Sequence, residues 1–137
     1  MSKPEWLYTK FKNDEVETLK VILNSCQELE CIRVMCGDGY LNECELLEVV
    51  TKYSPKNFYE LKIRQSGFSQ LVSFTEELES FFISWSKRIP QKSLSLIIID
   101  YQNYRSGLEV KKESMEAIEK FQKLDVIKKF EIVKYDS

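Results

Sequence analysis

The chain repeats one short sequence phrase four times, and this repeat constrains its fold more than any other feature. The copies are LECIRV (29–34), FYELKI (58–63), LSLIII (94–99) and IKKFEI (127–132), each with a large apolar residue at positions one, four and six. Their starts lie 29, 36 and 33 residues apart, and each copy follows a segment with helical apolar spacing. A unit of one helix and one strand cannot bury its apolar face alone, so consecutive units must stack on each other.

The apolar spacing predicts helices near residues 14–26, 42–53, 75–89 and 112–124. The third helix carries its apolar side chains on one face: Leu78, Phe81, Phe82, Trp85 and Ile89. Because short connections join helix to strand in alternation, the strands are expected to be parallel and the fold to be α/β. Residues 1–13 are interpreted as a lead-in segment, which either belongs to a preceding unit or lies against the first helix. Residues 14–137 form the repeat domain.

Two layouts fit this alternation. The helices lie either on one side of a curved sheet, as in a leucine-rich-repeat solenoid, or on both sides, as in a doubly wound domain. The phrase places the same three positions of every strand in the core, which favours the solenoid. The predicted architecture is therefore a short leucine-rich-repeat-like solenoid of about four helix–strand units, with a parallel sheet and helices on one face.

Composition excludes several function classes. The chain has 137 residues, 20 basic and 22 acidic side chains and a net charge of −2, which argues against a general binder of nucleic acid or anionic membrane. The first 25 residues hold many charged side chains, unlike a signal peptide, and no apolar run approaches the length of a membrane span. We therefore expect a cytoplasmic or nuclear protein.

The inventory of reactive side chains is small. The chain contains no histidine, and its four cysteines, Cys26, Cys31, Cys36 and Cys44, form no C-x-x-C pair. Histidine is the usual general base near neutral pH and a frequent zinc ligand, so its absence argues against hydrolytic catalysis and zinc binding. The sequence predicts no enzyme activity, no cofactor, no metal site and no catalytic residue.

Two segments imitate known motifs. DGYLNECEL (38–46) resembles half of an EF-hand calcium loop, but positions one and three would be Val34 and Cys36, which offer no side-chain oxygen. LIIID (96–100) resembles a Walker B strand, but the chain has no G-x-x-x-x-G-K-[ST] phosphate loop for it to serve. Both segments are better interpreted as structural.

One stretch carries a family resemblance. Cys26, Leu29, Ile32 and Val34 match the pattern C-x-x-L-x-x-L-x-L of the cysteine-containing leucine-rich repeat, the type common in F-box proteins. Longer stretches, residues 22–63, 78–99 and 115–132, resemble the C-terminal region of an expanded fungal F-box family. The resemblance covers nearly the whole chain, from about residue 16 to residue 133.

The resemblance implies a function. Members of that family resemble substrate-recognition subunits of Skp–cullin–F-box ubiquitin ligases, in which the F-box binds the Skp adaptor and the repeats hold the target protein. About 13 residues precede the first repeat here, too few for an F-box, so a Skp-type adaptor is expected only for a longer, F-box-containing form. The expected function is a non-catalytic protein-interaction module. The alternative is a truncated paralogue or fragment with no independent binding function.

Strand side chains alternate between the two faces of a sheet, so the phrase also predicts which residues point away from the helices. With positions one, four and six inward, the outward residues are Cys31, Arg33, Met35, Glu60, Lys62, Arg64, Leu96, Ile98, Asp100, Lys129, Glu131 and Val133. The third strand is apolar throughout and also admits the opposite register, with Leu96 and Ile98 inward. The predicted protein-binding residues are Arg33, Met35, Glu60, Lys62, Arg64, Asp100, Lys129 and Glu131.

Overall fold

Strands and helices alternate along the chain in the computed structural model, which describes residues 6–37, 39–66, 75–89, 92–100 and 112–134. The strands are β1 (Trp6–Thr9), β2 (Cys31–Gly37), β3 (Glu60–Ser66), β4 (Leu94–Asp100) and β5 (Ile127–Lys134). The helices are α1 (Val16–Ser25), α2 (Glu43–Tyr53), α3 (Thr75–Ser86) and α4 (Lys112–Lys123). Each helix therefore connects two strands that are consecutive in sequence.

The strands form one parallel sheet in the order β1-β2-β3-β4-β5. Crossovers between parallel strands are right-handed, so connections that run in one direction across a sheet place their helices on the same face. Consecutive helices accordingly contact each other, α1 with α2, α2 with α3 and α3 with α4. The predicted α/β class and parallel sheet are confirmed. The narrower prediction of a leucine-rich-repeat solenoid stays a prediction.

The core lies between the helices and one face of the sheet. Each central strand contributes alternate, fully buried residues to it, namely Ile32, Val34, Cys36, Leu61, Ile63, Leu96 and Ile98. The helices meet them with Leu19, Leu23, Leu46, Val50, Leu78, Phe82, Trp85 and Ile118. This one-sided burial follows from the alternation of strand side chains, because only one set of each strand faces the helices.

The lead-in segment contributes a strand that the repeat did not predict. Trp6–Thr9 forms β1, which pairs in parallel with β2 so that Leu7 lies beside Ile32 and Tyr8 beside Arg33. Leu7 packs against the core cluster, and Phe11 is buried in it. The sheet thus has five strands in the described part of the chain, where the sequence predicted four.

The register that the repeat predicted for the third phrase is wrong, and the opposite register, which its apolar sequence also admits, is the one observed. Leu96 and Ile98 face the core, whereas Ile97 and Ile99 pair with Lys62 and Arg64 on the opposite face. The pairing of β4 with β5 also shows a register shift between Leu94 and Ser95. In the third phrase the second core residue, Leu96, comes two positions after the first, Leu94. In the other three phrases the second core residue comes three positions after the first.

The predicted inward position of Ile89 is also wrong. Helix α3 ends at Ser86, and the Ile89 side chain, beyond that end, is 95% exposed. The other four residues predicted for this face, Leu78, Phe81, Phe82 and Trp85, are buried.

Candidate protein-binding face

The side chains of the sheet that point away from the helices form the face on which the sequence places a binding surface. We call it the outer face. Paired residues of neighbouring strands point to the same side, so the cross-strand register fixes its members. They are Tyr8, Cys31, Arg33, Met35, Glu60, Lys62, Arg64, Ser95, Ile97, Ile99, Lys129, Glu131 and Val133.

Seven of the eight predicted binding residues lie on this face. Arg33, Glu60, Lys62 and Arg64 are half-buried, Lys129 and Glu131 are exposed, and Met35 is only 7% exposed. The eighth is Asp100, whose backbone pairs with Gln65 and Lys134. The Asp100 side chain lies outside the described part of the structure.

The apolar residues of the outer face are largely covered. Ile97 is 6% exposed and Ile99 is 4% exposed. In the sheet Ile97 pairs with Lys62 on one side and with Glu131 on the other. Leu96 and Ile98, which the repeat phrase placed among the outward residues, lie in the core instead. The exposed residues of the face are Tyr8, Lys129 and Glu131, in the part of the structure that is described.

Two arginines converge on Tyr8. The Arg64 guanidinium donates a hydrogen bond from Nη1 to the Tyr8 hydroxyl at 2.9 Å. The Arg33 guanidinium carbon lies 4.8 Å from the centre of the Tyr8 ring, within the range of a cation–π contact. Because β2 separates β1 from β3, the Arg64 side chain spans two strand spacings, roughly 10 Å, to reach Tyr8. The residue between them on β2 is Met35, the pairing partner of Arg64.

Tyr8 is the member of this cluster that sequence reasoning missed. The lead-in has no preceding helical segment and no full copy of the phrase, so nothing in the repeat marks it as a strand. One signal was present: in WLYT, Leu7 is flanked by two aromatic residues, an order that resembles a short strand with one apolar core position.

The Arg33 side chain is incompletely satisfied. Its Nε atom is inaccessible to solvent and has no hydrogen-bond partner among the described residues. A buried polar hydrogen without an acceptor destabilises the folded state. Most such groups in proteins are paired, so this one marks a position where an acceptor would be favourable.

Ion pairs on the remainder of the face are modest. The Lys62 Nζ lies 3.7 Å from a Glu60 carboxylate oxygen, and the Lys129 Nζ lies 3.3 Å from a Glu131 oxygen. Both pairs join residues two apart on one strand and are partly exposed, so each contributes little to stability. Three cationic residues, Arg33, Lys62 and Arg64, and the carboxylate of Glu60 belong to the outer face of β2 and β3.

The cysteines near this face and in the core are protonated at neutral pH. Burial, followed by the neighbouring Glu60 carboxylate, raises the pKa of Cys31 to about 11. Burial and the Glu43 carboxylate raise the pKa of Cys36 well above its usual range. Because the thiolate is the reactive form of cysteine, neither residue is activated as a nucleophile.

A groove of about 680 Å³ lies between α2 and α3 on the opposite side of the molecule. Leu47 and Phe81, both nearly buried, lie at its base, and the exposed carboxylates of Glu45, Glu48 and Glu77 line it. Burial, with Glu77 and Glu43, raises the pKa of Cys44 in this groove. No group of three or more side chains suited to bind a metal ion occurs in the described ranges.

No protein-family model, curated protein or solved structure matches the chain. The resemblance to the F-box family therefore stays a prediction that depends on the sequence phrases alone. Within the described ranges, each helix is too short or too polar to span a lipid bilayer.

Proposed function

We propose that this chain is a non-catalytic protein-interaction module that binds its partner on the outer face of the sheet. In this proposal the module is a short leucine-rich-repeat-like solenoid, similar to the substrate-recognition repeats of an F-box subunit of a Skp–cullin–F-box ubiquitin ligase. The observation that supports it best is the convergence of Arg33 and Arg64 on Tyr8. Tyrosine and arginine are enriched among the side chains that dominate protein–protein binding.

The chemistry of the side chains favours binding over catalysis. The chain has no histidine, and Cys31, Cys36 and Cys44 have pKa values raised by burial. The outer face instead combines a partly exposed aromatic ring with forked hydrogen-bond donors. Arginine donors in this arrangement recognise carboxylates and backbone carbonyls with defined geometry.

Charge reversal on the outer face tests the proposal. The full chain and its double variant Arg33→Glu, Arg64→Glu are immobilised and used to capture proteins from a cell lysate. A partner that binds wild type should be lost by the double variant, while the melting temperature changes by a few degrees at most. The small decrease in melting temperature is expected because the double variant loses the cation–π contact and the hydrogen bond to Tyr8, which contribute about 0.5–1 kcal/mol each.

A matched control carries the same change in net charge on the other side of the molecule. Lys87 directly follows α3, Lys123 is the last residue of α4 and both are exposed, so Lys87→Glu, Lys123→Glu should retain the partner. Equal loss of the partner from both double variants would mean that net charge, not the outer face, governs capture. Failure of wild type to capture any partner would favour the alternative, a chain with no binding function of its own.

A further inference from the structure

In the cluster of Tyr8, Arg33 and Arg64, one buried hydrogen-bond donor has no acceptor in the described part of the chain. The Arg33 Nε–H is buried without an acceptor among the residues that the structure describes. The two terminal Nη groups of a guanidinium also present parallel N–H bonds, a fork that matches two oxygens of one anion. The Arg33 guanidinium carbon lies 4.8 Å from the centre of the Tyr8 ring, so an anion held by this fork lies near Tyr8.

Tyr8 also positions the second arginine. Its hydroxyl accepts the hydrogen bond from Arg64 and thereby holds a second guanidinium beside the first. A tyrosine hydroxyl is a donor as well as an acceptor, so the same group can donate its own proton to an oxygen bound between the arginines. Lys62, the pairing neighbour of Arg33, adds a third positive charge to this part of the outer face.

The geometry points to an anion-binding site, formed by Tyr8, Arg33 and Arg64, that receives the carboxylate of a glutamate or aspartate in a linear partner segment. This inference rests on the proposed function, because it names the chemical group that the outer face recognises. A planar carboxylate satisfies an edge-on fork with both of its oxygens. A phosphate would bring a third oxygen toward the neighbouring side chains, and Met35, which pairs with Arg64 from β2, offers it no donor.

The test is a titration of the ¹⁵N-labelled full chain, followed by NMR of the arginine Nε–Hε signals. Three capped alanine pentapeptides serve as probes, with glutamate, glutamine or phosphoserine at the central position. The glutamate peptide should shift the Arg33 Nε–Hε signal in a saturable manner, and the glutamine peptide should not. The signal of Arg33 is identified by its disappearance in Arg33→Lys.

Variants separate the roles of the residues, with affinity measured from the backbone amide signals of β2 and β3. Arg33→Gln should weaken binding of the glutamate peptide about tenfold or more, since it removes a charge-assisted fork. Arg33→Lys keeps the charge without the fork and should weaken binding almost as much. Tyr8→Phe keeps the ring but removes the hydroxyl that accepts a hydrogen bond from Arg64, so it should weaken binding severalfold. Lys87→Gln, the same charge change on the helix side of the molecule, should leave the affinity unchanged.

The outcomes distinguish this site from the wider proposal. Equal shifts with the glutamate and glutamine peptides, or no shift with either, would overturn the anion site even if a partner is captured from lysate. A response to the phosphoserine peptide alone would overturn the carboxylate assignment in favour of a phosphate site. A saturable glutamate response without any captured partner would support the site and count against the proposed function. Dispersed amide spectra verify that each variant is folded, and Arg33→Lys provides the result if Arg33→Gln does not fold.

Discussion

The indole Nε1 of Trp85 donates a hydrogen bond to the backbone carbonyl oxygen of Lys92 at 2.7 Å. This contact ties the last turn of α3 to the chain that enters β4. The Trp85 ring is 1% exposed and meets Phe58 edge-on, with the ring centres 6.3 Å apart. Trp85 thus joins a helix, the start of a strand and the aromatic part of the core.

Trp85→Ala should destabilise the fold by about 3–5 kcal/mol, because it removes a large buried ring and leaves a cavity. Trp85→Phe keeps most of the apolar contact but deprives the Lys92 carbonyl of its donor, at a smaller cost of about 1–3 kcal/mol. Both changes in the free energy of unfolding are to be measured by chemical denaturation, followed by circular dichroism. Ile83→Ala is the control, since Ile83 on the same helix is 45% exposed and its loss should have little effect. A denaturation midpoint for Trp85→Ala equal to that of wild type would contradict the buried position of the Trp85 ring.

Arg88 stabilises the end of another helix. Its Nη2 donates to the backbone carbonyls of Ser54 and Pro55 at 3.0 Å each, and its Nη1 donates to the Ser54 hydroxyl. The guanidinium also stacks on Trp85, 4.3 Å from the ring centre. These carbonyls follow the last residue of α2, where helix ends leave acceptors without intrahelical partners. Burial lowers the pKa of Arg88.

Arg88→Lys should destabilise the fold by about 1–3 kcal/mol although the positive charge is kept, because lysine cannot reproduce the forked donors or the planar stack. The measurement is the free energy of unfolding in urea. Lys87→Ala, at the exposed neighbouring cation, should change it by less than about 0.5 kcal/mol. Equal stabilities for Arg88→Lys and wild type would show that the charge alone accounts for the contact.

The sequence predicted the elements that have a strong local signal. Helix α2 begins after Asn42, whose side chain accepts a hydrogen bond from the Glu45 backbone nitrogen at 3.1 Å, and Pro55 ends the segment as its lack of a backbone donor requires. Strands β2 and β3 alternate apolar and polar residues, so their faces followed from the pattern. In β4 nearly every residue is apolar, and alternation cannot show which set faces the helices.

The features that the sequence did not predict depend on strand pairing and contacts between distant parts of the chain. The contact of Tyr8 with two arginines depends on the pairing of β1 with β2, which no local pattern in residues 6–9 fixes. The contact of Arg64 with Tyr8 joins residues 56 positions apart in the chain. The prediction placed Arg33 and Arg64 on one face correctly, but the ring that brings them together became evident only from the sheet register.

Calcium should not stabilise this chain. In the segment that resembles an EF-hand, the positions of the first two ligands are Val34 and Cys36, which are fully buried on strand β2. Gly39, with φ +79°, belongs to the turn between that strand and α2. The melting temperature should be the same with millimolar calcium and with a chelator, since a ligand that binds only the folded state would raise it. A saturable rise that Glu45→Gln abolishes would overturn this prediction.

Titration of Cys31 should weaken the fold at alkaline pH. Burial and Glu60 raise its pKa from 9.0 to about 11 in the folded chain, so the unfolded chain loses the thiol proton first. The folded pKa is the higher one, so this contribution to stability is complete below about pH 9 and is lost as the pH rises through about 11. The free energy of unfolding of wild type should therefore fall more steeply over this range than that of Cys31→Ala. Cys26→Ala, at an exposed cysteine, should show the wild-type slope. Identical slopes for wild type and Cys31→Ala would mean that the Cys31 thiol is solvated in the folded protein and that the outer face is more open at β2 than the structure indicates.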